Sequence, residues 1–183
     1  MNKMIERLAM SLIALGLAGA GVPALGEGEP GNGLLTMDFN GDRGVDLLEY
    51  RTGMDRLYKG ADIDGNGYID STDYRIIMIE GDTDKDLWLS HTEYRKYIDA
   101  FNEKDGQFGL SQDEIDDLVI PTHPEVIKQL LACCDTDGDV RVTRTEFDRL
   151  SERFFIDLDW DRDTKLLPGE LNNLLLEGQF SAQ

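Results

Sequence analysis

Apolar positions along the chain fall in short helix-length stretches separated by tight polar clusters, apart from one continuous apolar run at Leu8 to Leu25. Between Glu146 and Ile156, Phe147, Leu150 and Phe154 recur at helical spacing, which predicts a helix with one apolar face directed at a core. Thr72 to Ile79 reads as a second helical stretch. Pro121-Thr122-His123-Pro124 interrupts the pattern, because proline fixes φ and lacks an amide hydrogen. It predicts a boundary between two helices, with His123 as a solvated linker residue. Glu27 to Gly33 is rich in Gly and Pro, which predicts a flexible segment over 27–36.

The polar clusters share an internal order. Asp or Asn recurs at every second residue, and an acid follows seven places later: Asp38, Asn40, Asp42 and Glu49; Asp62, Asp64, Asn66 and Asp73; Asp82, Asp84, Asp86 and Glu93; Asp135, Asp137, Asp139 and Glu146; Asp159, Asp161, Asp163 and Glu170. Oxygen ligands packed this densely suit a hard divalent cation. Ca²⁺ takes six to eight oxygens, and a twelve-residue loop presents them from positions 1, 3, 5, 7, 9 and 12.

On these residues the chain resembles the EF-hand calcium-binding superfamily over most of its length after Leu35. The resemblance implies an all-α fold of helix–loop–helix repeats with short β contacts between loops, and Ca²⁺ as the cofactor. It also implies backbone carbonyl ligands at position 7, here Gly44, Tyr68, Trp88, Arg141 and Lys165, and a bidentate acid at position 12. Position 9 is Asp46, Asp70, Ser90, Thr143 and Leu167, of which Leu167 cannot coordinate through its side chain. Position 8 of such loops faces inward toward a partner loop, and it is aliphatic each time: Val45, Ile69, Leu89, Val142 and Leu166. A weaker loop, fourth in chain order, runs from Glu103 to Glu114 and reads as a degenerate copy kept for packing.

Two departures matter. Position 6 of such loops favours glycine because the backbone turns there with positive φ, yet only Gly67 conforms; Arg43, Leu87, Val140 and Thr164 stand elsewhere. Each is expected to cost about 1–2 kcal/mol. The second loop ends in Asp73, a shorter reach than Glu. Spacing is also tight, with only eight residues between the second and third loops. At a rise of 1.5 Å per residue that leaves room for barely two turns, so neighbouring loops are expected to share helices. The expected organisation is a first lobe over 37–120, a linker at 121–124 and a second lobe over 125–183.

Composition narrows the function. The 183 residues carry 37 acids against 18 Lys and Arg, a formal charge of -19. That excludes the basic face of nucleic-acid binders and adsorption to anionic lipid. Carboxylates crowded into loops repel one another unless a cation binds, which couples binding to folding. Residues 1–26 read as a secretory signal peptide, with Lys3 and Arg7 ahead of the apolar run and Ala24-Leu25-Gly26 at its end. Export to the periplasm or extracellular space follows, with no membrane association after cleavage. Cys133 and Cys134 are adjacent and can bridge only through a strained ring; the simpler expectation places them near a helix end with at least one in the core. No nucleophile–base pair is evident, so no enzymatic activity is expected. The function implied is a secreted calcium-binding protein, a buffer or a calcium-dependent interaction module with a protein or matrix partner. The alternatives are a biomineral-matrix protein and, further off, a sensor exposing an apolar groove.

Overall fold

A computed structural model describes residues 37–104 and 121–170. Residues 1–26, expected to be a signal peptide, the segment 27–36, nearly all of the weaker loop and the C-terminal 171–183 lie outside the described residues. The fold is mostly helical with a few short antiparallel strands. In chain order it comprises β1 (Val45–Asp46), α1 (Leu47–Ala61), β2 (Tyr68–Ile69), α2 (Ser71–Gly81), α3 (His91–Lys104), α4 (Pro124–Cys134), β3 (Val142–Thr143), α5 (Arg144–Leu158) and β4 (Lys165–Leu166).

Apart from the start of α4 at Pro124, the helix ends described are set in acid-rich loops. Asp46, Asp70 and Thr143, at position 9 of their loops, are the N-caps of α1, α2 and α5, and each forms a capping box with the acid at position 12. Asp62, Asp82, Asp135 and Asp159, at position 1 of the next loops, are the C-caps of α1, α2, α4 and α5. Thus α1 joins the first loop to the second, α2 the second to the third and α5 the fifth to the sixth. The eight residues between the second and third loops suffice because α2 serves both.

The ladders do not join sequence neighbours. β1 pairs with β4, Val45 opposite Leu166, and β2 pairs with β3, Ile69 opposite Val142. The first loop therefore meets the sixth and the second meets the fifth, so both ladders connect the segments expected as separate lobes. All four of these aliphatic residues are fully buried, and Leu89 of the third loop is 4% exposed.

Beneath the ladders lies a continuous core. α1 packs on α5, and α2 packs on α3 and α4. Tyr50 stacks on Phe155 with ring centroids 5.0 Å apart, and Tyr58 meets Phe147 edge-on at 5.2 Å. Phe147 and Phe154 are buried as their spacing predicts, joined by Ile77, Ile127 and Leu130. Burying side chains of this size contributes about 2 kcal/mol each. Cys133 and Cys134 are both buried at the end of α4, as free thiols with their sulfurs 3.2 Å apart.

The 121–124 segment is packed against its neighbours, and His123, expected to be solvated, is half-buried. Pro121, Thr122 and Pro124 are buried. The Thr122 amide donates to the Gly60 carbonyl at 2.7 Å, and the Tyr94 hydroxyl donates to the Pro121 carbonyl at 2.7 Å. His123 packs edge-on against Tyr94, and its Nδ1 accepts from the Glu125 amide at 3.2 Å to cap α4. The polar groups of Pro121 and Thr122 are satisfied by α1 and α3 rather than by solvent.

Candidate metal centres

In every described loop the position-12 acid ties the two ends together. Glu49 accepts from the amides of Asn40 (3.0 Å) and Asp46 (2.9 Å), and Asp73 from those of Ile63 (2.7 Å) and Asp70 (2.8 Å). Glu93 takes the Thr83 and Ser90 amides and both of their hydroxyls, and Glu146 takes the same groups of Thr136 and Thr143. Glu170 accepts from Trp160 (3.1 Å) and Leu167 (2.9 Å). The short side chain of Asp73 thus reaches both loop ends as the glutamates do, and it is fully buried.

The alternating acids fold the loop tip over themselves. The position-1 carboxylate accepts the position-6 amide in each loop, as Asp135 does from Val140 at 2.9 Å. Positions 3 and 5 each accept the amide two residues on. To turn this sharply, the backbone takes positive φ at position 6 throughout: Arg43 (69°), Gly67 (87°), Leu87 (67°), Val140 (68°) and Thr164 (70°). Position 4 does the same at Gly41, Gly65, Lys85, Gly138 and Arg162, a requirement the sequence reading missed. The glycines at three of those places were the available signal.

Among the described residues this scaffold gathers four groups of acids, each with oxygens within 4.8 Å of one another: Asp62, Asp64 and Asp73; Asp82, Asp84 and Glu93; Asp135, Asp137 and Glu146; Asp159, Asp161 and Glu170. They come from positions 1, 3 and 12. The position-5 acids Asp86, Asp139 and Asp163 are not members of these groups. The first loop forms no such acid group, since Asn40 occupies position 3; it holds Asp38, Asp42 and Glu49 as its acids. Asp46 and Asp70 turn Oδ1 to the helix amides of Leu48 and Thr72, at 2.8 and 2.6 Å. Gly44, Tyr68, Trp88, Arg141 and Lys165 occupy the loop tips at position 7, with Tyr68 and Lys165 in the ladders.

The electrostatics of these groups favour an added cation. Burial pushes the Asp73 carboxyl above its ordinary value against the pull of the Asp70, Asp64 and Ile63 amides. The Asp86 amide favours ionised Asp84, but burial and the charges of Asp86, Glu93 and Asp82 outweigh it and raise that carboxyl. Glu93 and Glu146 move the other way, to about 2: Glu93 chiefly through the Ser90 and Thr83 hydroxyls, Glu146 through the Thr143 amide and the Thr136 hydroxyl and amide. The helices add to the crowding. α1, α2, α4 and α5 direct their C-terminal ends at position-1 acids, and the last turns of α2, α4 and α5 carry no basic residue. A carboxylate at that negative end is unfavourable and a cation there favourable.

Whether the residues fit a hard cation is tested at Asp82, which is only 9% exposed. Its Oδ2 accepts from the Leu87 amide at 3.0 Å, while Oδ1 is buried with no hydrogen-bond partner. A buried carboxylate oxygen without a partner costs on the order of 1–3 kcal/mol. It belongs to the group with Asp84 and Glu93, so an ion held there would satisfy it. The donors are all oxygens, which suits Ca²⁺ or Mg²⁺ over softer metals.

No family model, curated protein or solved structure matches the chain. Among the described residues no helix is long and apolar enough to cross a membrane.

Proposed function

We propose that this chain is an EF-hand-like calcium-binding protein, exported through its N-terminal signal, which acts by binding ions rather than by catalysis. The observation that carries the reading is Asp82 Oδ1, a buried carboxylate oxygen without a partner inside an acid group that recurs in four loops. Asp62, Asp64 and Asp73, Asp82, Asp84 and Glu93, Asp135, Asp137 and Glu146, and Asp159, Asp161 and Glu170 would hold the ions. Asn66, Asp86, Asp139, Asp163 and the position-7 carbonyls would complete the oxygen shells. A bound divalent cation neutralises the crowded carboxylates and the helix C-termini that face them. Because each helix ends in a loop, ion binding at one end fixes the start of the next repeat. This favours Ca²⁺ as a structural element of the fold, with calcium-dependent presentation of its surface to a protein or matrix partner.

Trp88 and Trp160 make the reading testable, since they lie in the third and sixth loops and are 58% and 69% exposed. Calcium titration of the chelator-treated protein should change their fluorescence. No change up to about 5 mM, above the usual range of extracellular sites, would overturn the proposal.

A further inference from the structure

The first loop differs from the other described loops in already holding a cation of the protein's own. Lys165, at position 7 of the sixth loop, extends across the β1–β4 ladder, and its Nζ lies 2.6 Å from Asp42 Oδ2. Asp42 is the position-5 acid of the first loop. The lysine stem runs over Gly44: a Cβ there would collide with Lys165 Cε and sit 3.1 Å from Cδ and Cγ. Gly44 is not among the positive-φ residues, so its backbone does not call for glycine; the passage of Lys165 does. In the other ladder the corresponding residue, Arg141, stands 4.0 Å from Asp70 at position 9 and lies over the Tyr68 ring. Among the described residues the Asp62, Asp64 and Asp73 group has no lysine or arginine contact of this kind.

We propose that the Lys165 ammonium is the resident cation of the first loop, and that a divalent ion enters that loop only by displacing it. The inference rests on the calcium reading of the loops and assigns to one side chain the ranking of their affinities. The second, third, fifth and sixth loops fill first and the first loop last. Lys165 also links two sites, because its carbonyl belongs to the sixth loop while its side chain neutralises the first. Filling the first loop therefore releases a side chain anchored in the sixth.

The test follows the amide resonances of single glycines during calcium titration of the chelator-treated full chain. Gly41 reports the first loop, Gly65 the second and Gly138 the fifth. In the natural protein Gly41 should reach half of its shift at about fivefold higher calcium than Gly65 and Gly138, the size of effect one partly exposed ion pair supports. Lys165→Met should narrow that gap to about twofold or less. Gly44→Ala, which displaces the lysine from the opposite side, should do the same at Gly41, so either folded variant decides the matter. Gly41 moving together with Gly65 and Gly138 in the natural protein would overturn the inference, as would a gap that both variants leave intact. A titration in which none of the three glycines moves would instead remove the calcium reading on which it rests.

Discussion

Ile69 and Val142 stand directly opposite each other in the β2–β3 ladder, and neither exposes any surface. The pair joins the second loop to the fifth across the 121–124 boundary. The Tyr58 hydroxyl reinforces it, lying 2.9 Å from the Gly67 carbonyl and 3.2 Å from that of Val142. Two acid groups distant in sequence therefore share one apolar seam and one hydrogen-bond donor.

Ile69→Ala should accordingly weaken both sites. Truncation leaves a cavity under the ladder and should lower stability by about 3 kcal/mol in chemical denaturation. The Gly138 amide, in the fifth loop, should then respond only at higher calcium. A loss confined to Gly65, with Gly138 unchanged, would mean that the ladder does not transmit the change.

Val140→Gly should stabilise the ion-free protein by about 1 kcal/mol, because a β-branched residue is strained at positive φ. Val140 is 65% exposed, so little burial is lost with its side chain. Gly138→Ala, at a φ of 80°, should shift stability in the opposite direction. Equal unfolding midpoints for all three proteins would show that the loop tips relax without cost.

Asp82→Asn removes charge from an oxygen that has no partner. Without calcium the variant should be more stable than the natural protein by about 1 kcal/mol. With calcium, the Trp88 fluorescence response should vanish while that of Trp160 persists, resolved by replacing one tryptophan at a time. A Trp88 response of natural size at natural calcium concentrations would remove Asp82 from the site.

Glu93 and Glu146 give the ion-free protein an acid-sensitive stability. Their carboxyls lie near 2 in the fold against an ordinary 4.5. The stability they contribute is fully present above the unfolded value and is lost as the pH falls through the folded one. Asp73 and Asp84, whose carboxyls are raised, work in the opposite direction. Denaturation midpoints in chelator should therefore fall between about pH 5 and pH 2, with Glu93→Gln and Glu146→Gln flattening the slope. A profile that rises toward acid would contradict the hydrogen bonds drawn here.

What the sequence disclosed follows from which constraints are local. The loops were legible because their oxygens must recur at fixed offsets, and the shared helices because eight residues cannot hold two helices and a turn. The caps at Asp46, Asp70 and Thr143 were equally open to reading, each with an acid three residues later. Loop pairing was not legible. Val45, Ile69, Val142 and Leu166 are interchangeable as buried aliphatics, and only the packing of α1 against α5 selects Leu166 for Val45. The packing of His123 was not legible, because prolines announce a break without saying whether solvent or protein fills it. The double role of Lys165 depends on a ladder that brings distant loops together, and spacing along the chain carries no trace of that contact.

Calorimetric titration of the chelator-treated full chain decides whether the acid groups bind calcium. At least four ions should bind per chain, one for each acid group, with dissociation constants of about 10⁻⁵ to 10⁻³ M and weaker heats for magnesium. Absence of calcium heat throughout that range, in a protein that circular dichroism shows to be folded, would contradict calcium binding.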